Sequence, residues 1–264
     1  MFVLGQAKVK PMTIAIAAMC GNTHASQRGN IIVCTDTLIS WGNHTSNTSG
    51  TKLYDLPHGF FATTASDVSR CRQFCGYLYA QLAKFEASDE AFVELVRLAI
   101  EDANQEFRAS QLLTHLATFP VTKAEFLTDP DLVFRQQIID EWRALSPEID
   151  VIICGFSGGS PMIVRTDGRH IQECMVPGFA CSGSGESAAL DWLNFRKQHG
   201  AMSVQRTYYH VREAHDYASL SIGVGELCNM LLLRPNEPYV DIGACTPLRW
   251  SMDQNLLSSG YRLP

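Results

Sequence analysis

The sequence predicts an α+β fold, a four-layer αββα sandwich in which two antiparallel β-sheets pack face to face and helices flank them. Three observations support this prediction. Apolar, strand-like runs come in groups, helical segments come in consecutive pairs, and short glycine-containing turns join neighbouring strands. A doubly wound parallel sheet needs strands and helices that alternate singly. That order does not occur in this chain.

The first group of elements precedes residue 109. Strands are predicted over 13–19, where isoleucines alternate with small residues, and over Asn30–Asp36, which carries a β-branched run. The segment 58–65 has the same strand character. Two helices follow, over 67–85 with an apolar stripe at helical spacing, and over 88–108 with a serine at its N-cap position.

The second group repeats this order. A strand over 150–156 leads into a hairpin that turns at Asp167–Gly168. The stretch GFACSGSG forms another short strand that ends in a glycine turn. Two helices are predicted over 186–198 and 203–221, and the apolar run over 226–234 forms the last buried strand.

The 264 residues suffice for one large domain or two small ones, and no repeat or low-complexity linker divides them. We expect one domain over 13–242 with a polar, proline-punctuated helical insertion over 109–148. Residues 1–12 are interpreted as a leader, a propeptide or the product of a mis-assigned start. Residues 243–264 are interpreted as a C-terminal tail.

Composition excludes several classes of function. The net charge of −6 argues against a nucleic-acid or anionic-membrane partner. No apolar run approaches the ~20 residues of a membrane span. The nine scattered cysteines form no metal-binding CxxC pair and fit reduced thiols in the cytoplasm. We therefore expect a cytoplasmic protein without a metal or cofactor.

Three residues form the leading candidate site. A threonine hydroxyl is a weak nucleophile that needs an adjacent base, and the α-amine of an N-terminal threonine is such a base, with a pKa near ~8. Thr13 follows Met12 at the start of the first strand, Asp36 ends the second strand, and Lys52 starts the next. The lysine charge would lower the pKa of the amine and of the hydroxyl. The aspartate would hold the lysine in place.

Several segments in order over 12–234 resemble the proteasome β-subunit group of N-terminal nucleophile (Ntn) hydrolases, which includes the bacterial HslV and Anbu proteins. The matching segments are MTIAIAA, IIVCTDTLISWGN, GTKLYDL, FFATTASDVSR, VIICGFSGGSPMIVRTDG and CSGSGESAALDWL. Thr13 falls on the nucleophile position of that family, Asp36 on its aspartate and Lys52 on its catalytic lysine. The offset of sixteen residues between Asp36 and Lys52 is also that of the family.

The resemblance implies further site residues and an activity. Ser184 falls on the family's active-site serine, and Thr63 stands where a glycine supplies a backbone oxyanion donor. Asp216 and Ser219 are supporting candidates, since they fit the form of a later Asp-x-x-Ser pair. The expected function is hydrolysis of a peptide or amide substrate by exposed Thr13, in a ring-shaped or helical homo-oligomer. A partner unfoldase is not readable from the sequence.

Two alternative functions remain open. The chain could be a non-catalytic, ring-forming relative in which Thr13 is never exposed. It could instead be a serine hydrolase that uses Ser157 of the GFSGG motif, with Asp191 and either His210 or His215 as partners. A nucleophile elbow needs a helix after the turn, whereas the sequence after Ser157 predicts another strand.

Overall fold

The structure is a computed structural model. It describes residues 13–21, 29–41, 44–47, 52–86, 92–129, 134–144, 147, 149–221 and 224–242. The expected leader and the expected tail lie outside these described residues, as does the serine predicted to cap the second helix.

The described residues form twelve strands, six α-helices and one short 3₁₀ helix at Pro57–Gly59. The strands are β1 (Ile14–Cys20), β2 (Asn30–Asp36), β3 (Leu38–Trp41), β4 (His44–Asn47), β5 (Leu53–Leu56), β6 (Phe60–Thr64), β7 (Val151–Ser157), β8 (Ser160–Thr166), β9 (Ile171–Glu173), β10 (Phe179–Gly183), β11 (Cys228–Leu233) and β12 (Val240–Asp241). The helices are α1 (Val68–Leu82), α2 (Phe92–Leu116), α3 (Lys123–Thr128), α4 (Arg135–Ala144), α5 (Glu186–Phe195) and α6 (Val204–Ser219).

Ten of these strands form two five-stranded sheets. Sheet I has the order β10-β1-β2-β11-β12, and sheet II has the order β5-β6-β7-β8-β9. Every strand pair in both sheets is antiparallel. The two remaining strands, β3 and β4, pair with each other. The prediction of an α+β protein with two antiparallel sheets is confirmed.

Three apolar clusters show how the layers pack. Side chains alternate between the two faces of a strand, so each sheet contributes to two clusters. In β1, Ala15 and Ala17 face a cluster shared with Phe61 and Ile152 of sheet II, which places a core between the sheets. The opposite face of sheet I packs on α5 and α6. The opposite face of sheet II packs on α1 and α2.

The helix pairs follow the predicted apolar periodicity. The stripe on α1 is buried at Cys71, Cys75, Leu78 and Leu82. The side chain of Asp67 caps this helix by accepting a hydrogen bond from the Arg70 N–H. The second helix, α2, extends beyond its predicted end near residue 108 and continues to Leu116, because its apolar face finds further partners in the insertion.

The described part of the predicted insertion is helical, as expected. It contains the last turns of α2 together with α3 and α4. These helices bury a small core of their own around Leu116, Phe126 and Ile138. None of the described helices combines the length and the apolar character that crossing a membrane requires.

Candidate active site

Thr13 lies at the start of β1, where strand register sets its neighbours. Ile14 is paired with Gly183 of β10, so Thr13 lies level with Ser184. On the other side Ala15 is paired with Thr35 of β2, which brings the end of β2 beside Thr13. These two pairings bring the predicted nucleophile next to Asp36 and Ser184, which are distant in sequence.

Asp36 and Lys52 both contact the Thr13 hydroxyl. Thr13 Oγ1 donates to Asp36 Oδ1 at 2.6 Å, and Lys52 Nζ donates to Thr13 Oγ1 at 2.5 Å. Lys52 Nζ also donates to Asp36 Oδ1 at 2.6 Å. The three residues predicted from the sequence therefore form one hydrogen-bonded cluster.

Ser184 contacts the backbone of Thr13. The Thr13 N–H donates to Ser184 Oγ at 2.9 Å, and the same hydroxyl lies 3.3 Å from the Thr13 carbonyl oxygen. The Gly185 N–H donates to that carbonyl at 3.4 Å. The turn from β10 into α5 thus holds the backbone of Thr13 at both its nitrogen and its carbonyl.

Gly183 makes this close approach possible. Its φ of +105° lies in a region that favours glycine. A Cβ at this position would lie only 2.2 Å from the Thr13 carbonyl oxygen and 2.9 Å from Ala65 Cβ. Any side chain at residue 183 would therefore displace the first residue of β1.

The cluster is buried, which strengthens its electrostatics. Thr13 is 3% exposed, Asp36 is 1% exposed and Lys52 is 6% exposed. Burial lowers the pKa of Lys52 below its ordinary value of 10.5, and the Asp36 carboxylate partly offsets this effect. The second carboxylate oxygen of Asp36 accepts from the Gly225 N–H at 3.2 Å. Gly225 was not predicted, since a backbone donor has no signature in sequence.

A second missed residue, Arg165, joins sheet II to the start of α5. Its guanidinium donates to both carboxylate oxygens of Asp150 at 2.8 Å and to Glu186 Oε2 at 2.7 Å. Glu186 follows Ser184 by two residues. The bidentate ion pairs of Arg165 therefore help to fix the turn that carries Ser184.

Thr63 lies within β6, between the neighbouring strands β5 and β7. Thr64 N–H donates to the Lys52 carbonyl on one side of β6, and Ala65 N–H donates to the Asp150 carbonyl on the other side. Alternation along an antiparallel ladder directs the Thr63 N–H toward Ile152 of β7, with which it is paired. The oxyanion role expected of the Thr63 backbone stays a prediction, and it would require this N–H to turn away from β7.

Asp216 and Ser219 make their hydrogen bonds within α6. Asp216 Oδ2 accepts from Arg212 Nε at 3.0 Å, and Ser219 Oγ donates to the Asp216 carbonyl at 2.7 Å. The Asp216 side chain is half exposed. These hydrogen bonds lie within α6 and neither involves Thr13, so the supporting role of the two residues stays a prediction.

Ser157 lies in a β-hairpin. It ends β7 and is paired with Ser160 of β8 across Gly158–Gly159, and both glycines have positive φ. The strand-turn-helix geometry of a nucleophile elbow is therefore not formed. Its conceivable partners, Asp191 on α5 and both histidines on α6, belong to the helical layer on the outer face of sheet I.

Neither of the two α6 histidines forms a hydrogen bond with Ser157 among the described contacts. His210 Nδ1 lies 2.8 Å from Gln198 Oε1. His215 is fully buried, and its ring nitrogens find no hydrogen-bond partner among the described residues. Within the described ranges, no group of three or more His, Cys, Asp or Glu side chains could hold a metal ion.

The comparisons with known proteins assign no family to this chain. A scan against protein-family models gives no match, and no curated protein matches the sequence.

Proposed function

We propose that this protein is a threonine-type amide or peptide hydrolase that acts through Thr13 with a free α-amine. The observation that carries the proposal is the contact of one buried hydroxyl with both Asp36 and Lys52, at 2.6 Å and 2.5 Å. The arrangement of a nucleophile beside a charged group that a third group orients is typical of covalent catalysis.

The chemistry assigned to each group follows from its position. Thr13 Oγ attacks the amide carbonyl carbon, and the hydroxyl proton passes to the α-amine of the same residue. That ammonium then protonates the leaving amine as the C–N bond breaks, and water hydrolyses the resulting ester. The Lys52 ammonium stabilises negative charge on Oγ, and Asp36 orients Lys52. Ser184 holds the Thr13 nitrogen, to which its hydroxyl lies at 2.9 Å.

A proteasome-like Ntn fold is part of the proposal. The packing of two antiparallel sheets between helix pairs agrees with the layers that the resemblance implies. The order of matching segments and the position of Thr13 at the start of a central strand also support it. A self-assembling oligomer follows from the same resemblance, with the helical insertion and the α2 region as contact surfaces.

The experiment compares the full chain with a chain that begins at Thr13. Intact mass spectrometry determines whether the bond between Met12 and Thr13 is cleaved in the full chain. Fluorogenic peptide amides and acyl-enzyme mass shifts then report hydrolysis. We expect activity wherever Thr13 is the first residue, a loss of at least ~10³-fold in Thr13→Ala, and unchanged activity in Ser157→Ala.

Two outcomes would contradict the proposal. A chain that begins at Thr13, is folded and hydrolyses none of the amides would favour the non-catalytic, ring-forming alternative. Acylation by a fluorophosphonate probe that persists in Thr13→Ala but disappears in Ser157→Ala would favour the serine hydrolase.

A further inference from the structure

A cleft of about 370 Å³ lies beside the insertion, on the helical side of sheet II. Its walls come from α1, α2, α4 and the turn between β8 and β9. This volume lies within the range of small-molecule sites in proteins. The cleft is separate from the Thr13 cluster, because none of its lining residues belongs to that cluster.

Four arginines line this cleft, and none of its described lining residues is an aspartate or a glutamate. They are Arg70, Arg108, Arg143 and Arg169. Four arginines around one cleft are unusual in a chain whose net charge is −6. Arg108 and Arg143 are exposed, so their guanidinium groups are accessible to an anion that enters the cleft.

Existing contacts hold these arginines in place around the cleft. Arg169 Nη2 donates to the Arg143 carbonyl at 2.9 Å, and Arg70 Nη1 donates to the Pro147 carbonyl at 3.3 Å. Glu101 and Glu173 line a neighbouring cleft together with Arg108 and Arg169. Among the described residues, two further carboxylates lie close to the lining side chains: Asp140 is 4.0 Å from the Arg143 guanidinium, and Glu141 is 3.6 Å from His115 Nε2. Both are exposed, so solvent weakens their effect on the cleft.

Two aromatic side chains add a second kind of contact. The Arg108 guanidinium lies 5.0 Å from the centre of the Trp142 ring, which is half-buried in the cleft wall. His115 also lines the cleft, and its buried Nε2 has no hydrogen-bond partner among the described residues. An indole face next to guanidinium donors suits a ligand with a flat organic part and an anionic group.

We propose that this cleft binds a phosphorylated small molecule. Its phosphate is held by the guanidinium groups, whose planar arrangement of N–H donors matches phosphate oxygens. Its organic part packs on Trp142. The proposal gives the helical insertion a binding role, and it does not depend on the chemistry of Thr13.

The test uses phenyl phosphate as the probe and the folded full chain in a phosphate-free buffer. Isothermal titration calorimetry is expected to show one saturable site per chain, with an affinity that falls as salt is added. Inorganic phosphate should compete, and phenol should not bind. Arg108→Gln and Arg143→Gln each remove a charged donor and should weaken binding about tenfold.

The matched control is Arg206→Gln, which makes the same charge change at an exposed position on α6. It should leave the affinity for phenyl phosphate unchanged. The thermal unfolding of each variant is measured first, so that only folded variants are compared. If Arg108→Gln does not fold, the exposed Arg143→Gln carries the test. Equal weakening by Arg206→Gln, binding of phenol, or full affinity in Arg143→Gln would overturn the proposal.

Discussion

Thr13 and Ser157 are both hydroxyl residues at strand ends, and they differ in what surrounds them. Thr13 Oγ1 contacts a carboxylate and an ammonium within 2.6 Å. Ser157 is also buried, at 8% exposed against 3% for Thr13, but neither an imidazole nor a carboxylate among the described residues hydrogen-bonds to it. Its neighbours are the backbone and glycines of a tight hairpin.

This difference separates two kinds of sequence signal, a contiguous motif around Ser157 and a set of dispersed residues around Thr13. The GFSGG motif is local, and packing explains its glycines. Gly158 and Gly159 form a two-residue turn with positive φ at both positions, and a Cβ at Gly155 would lie 2.5 Å from the Phe60 ring. The groups around Thr13 come from separate strands and a distant turn. Strand pairing, rather than a contiguous motif, therefore assembles the candidate nucleophile.

The largest expected effect concerns the charged pair of the Thr13 cluster. Lys52→Met leaves the Asp36 carboxylate buried without its counter-charge, since the side chains are 6% and 0% exposed. We expect a loss of about 3–5 kcal/mol in the free energy of unfolding, measured by urea denaturation, together with loss of hydrolysis.

Two variants control this experiment. The double variant Asp36→Asn/Lys52→Met removes both charges and should regain much of the stability while staying inactive. Arg97→Met breaks the exposed pair with Glu94 and should change stability little. A Lys52→Met protein as stable as the parent would contradict a buried, coupled pair.

The next prediction compares two glycines with positive φ. Gly183 contacts Thr13, whereas Gly158 lies in the Ser157 hairpin, where no atom lies within 4 Å of the position that an added methyl group would occupy. Gly158→Ala should cost about 1–2 kcal/mol from the backbone alone. Gly183→Ala adds a clash with the Thr13 carbonyl, so it should cost more and abolish hydrolysis.

Thermal unfolding and amide hydrolysis of the two glycine variants measure this difference. Equal stability losses, or an active Gly183→Ala protein, would show that the turn before α5 tolerates a side chain and does not position Thr13.

The smallest effect is a shift in pH dependence. The proposed role of Lys52 requires its charged form, and burial lowers the pKa of this ammonium. The alkaline limb of kcat/KM should therefore begin below 10.5. Between the folded and unfolded pKa values the folded protein binds fewer protons, so stability rises with pH across that window.

Lys52→Arg tests the assignment, because arginine stays charged throughout the accessible pH range. The alkaline limb should move upward in this variant, although the altered geometry lowers the rate. An alkaline limb that stays in place would assign that titration to another group.

The sequence predicts the layers well because apolar periodicity reports burial directly. The strand Asn30–Asp36 and the turn at Asp167–Gly168 lie at their predicted positions. The predicted end of α2 falls eight residues short, since the helix past Arg108 is stabilised by packing on α3 and α4. Such contacts between segments leave no periodic signal at the boundary.

The residues of the candidate site also divide into those that the sequence predicts and those that depend on contacts between distant segments. Thr13, Asp36, Lys52 and Ser184 follow from residue type, spacing and resemblance, and hydrogen bonds join them in the structure. The oxyanion role of Thr63 stays a prediction, because the availability of a backbone N–H depends on ladder register, which the sequence does not show. Gly225 and Arg165 were missed because their contacts arise only when distant segments meet.

The contacts of the Asp36 carboxylate bear on folding during translation. It joins Thr13, 23 residues away, to Gly225, 189 residues away. Ser184 reaches Thr13 across 171 residues. Contacts at such separations close late because long loops must form first. On the ribosome, the hydroxyl would therefore acquire its full set of neighbours only after the segment that carries Gly225 has emerged, which delays any hydrolytic activity until that point.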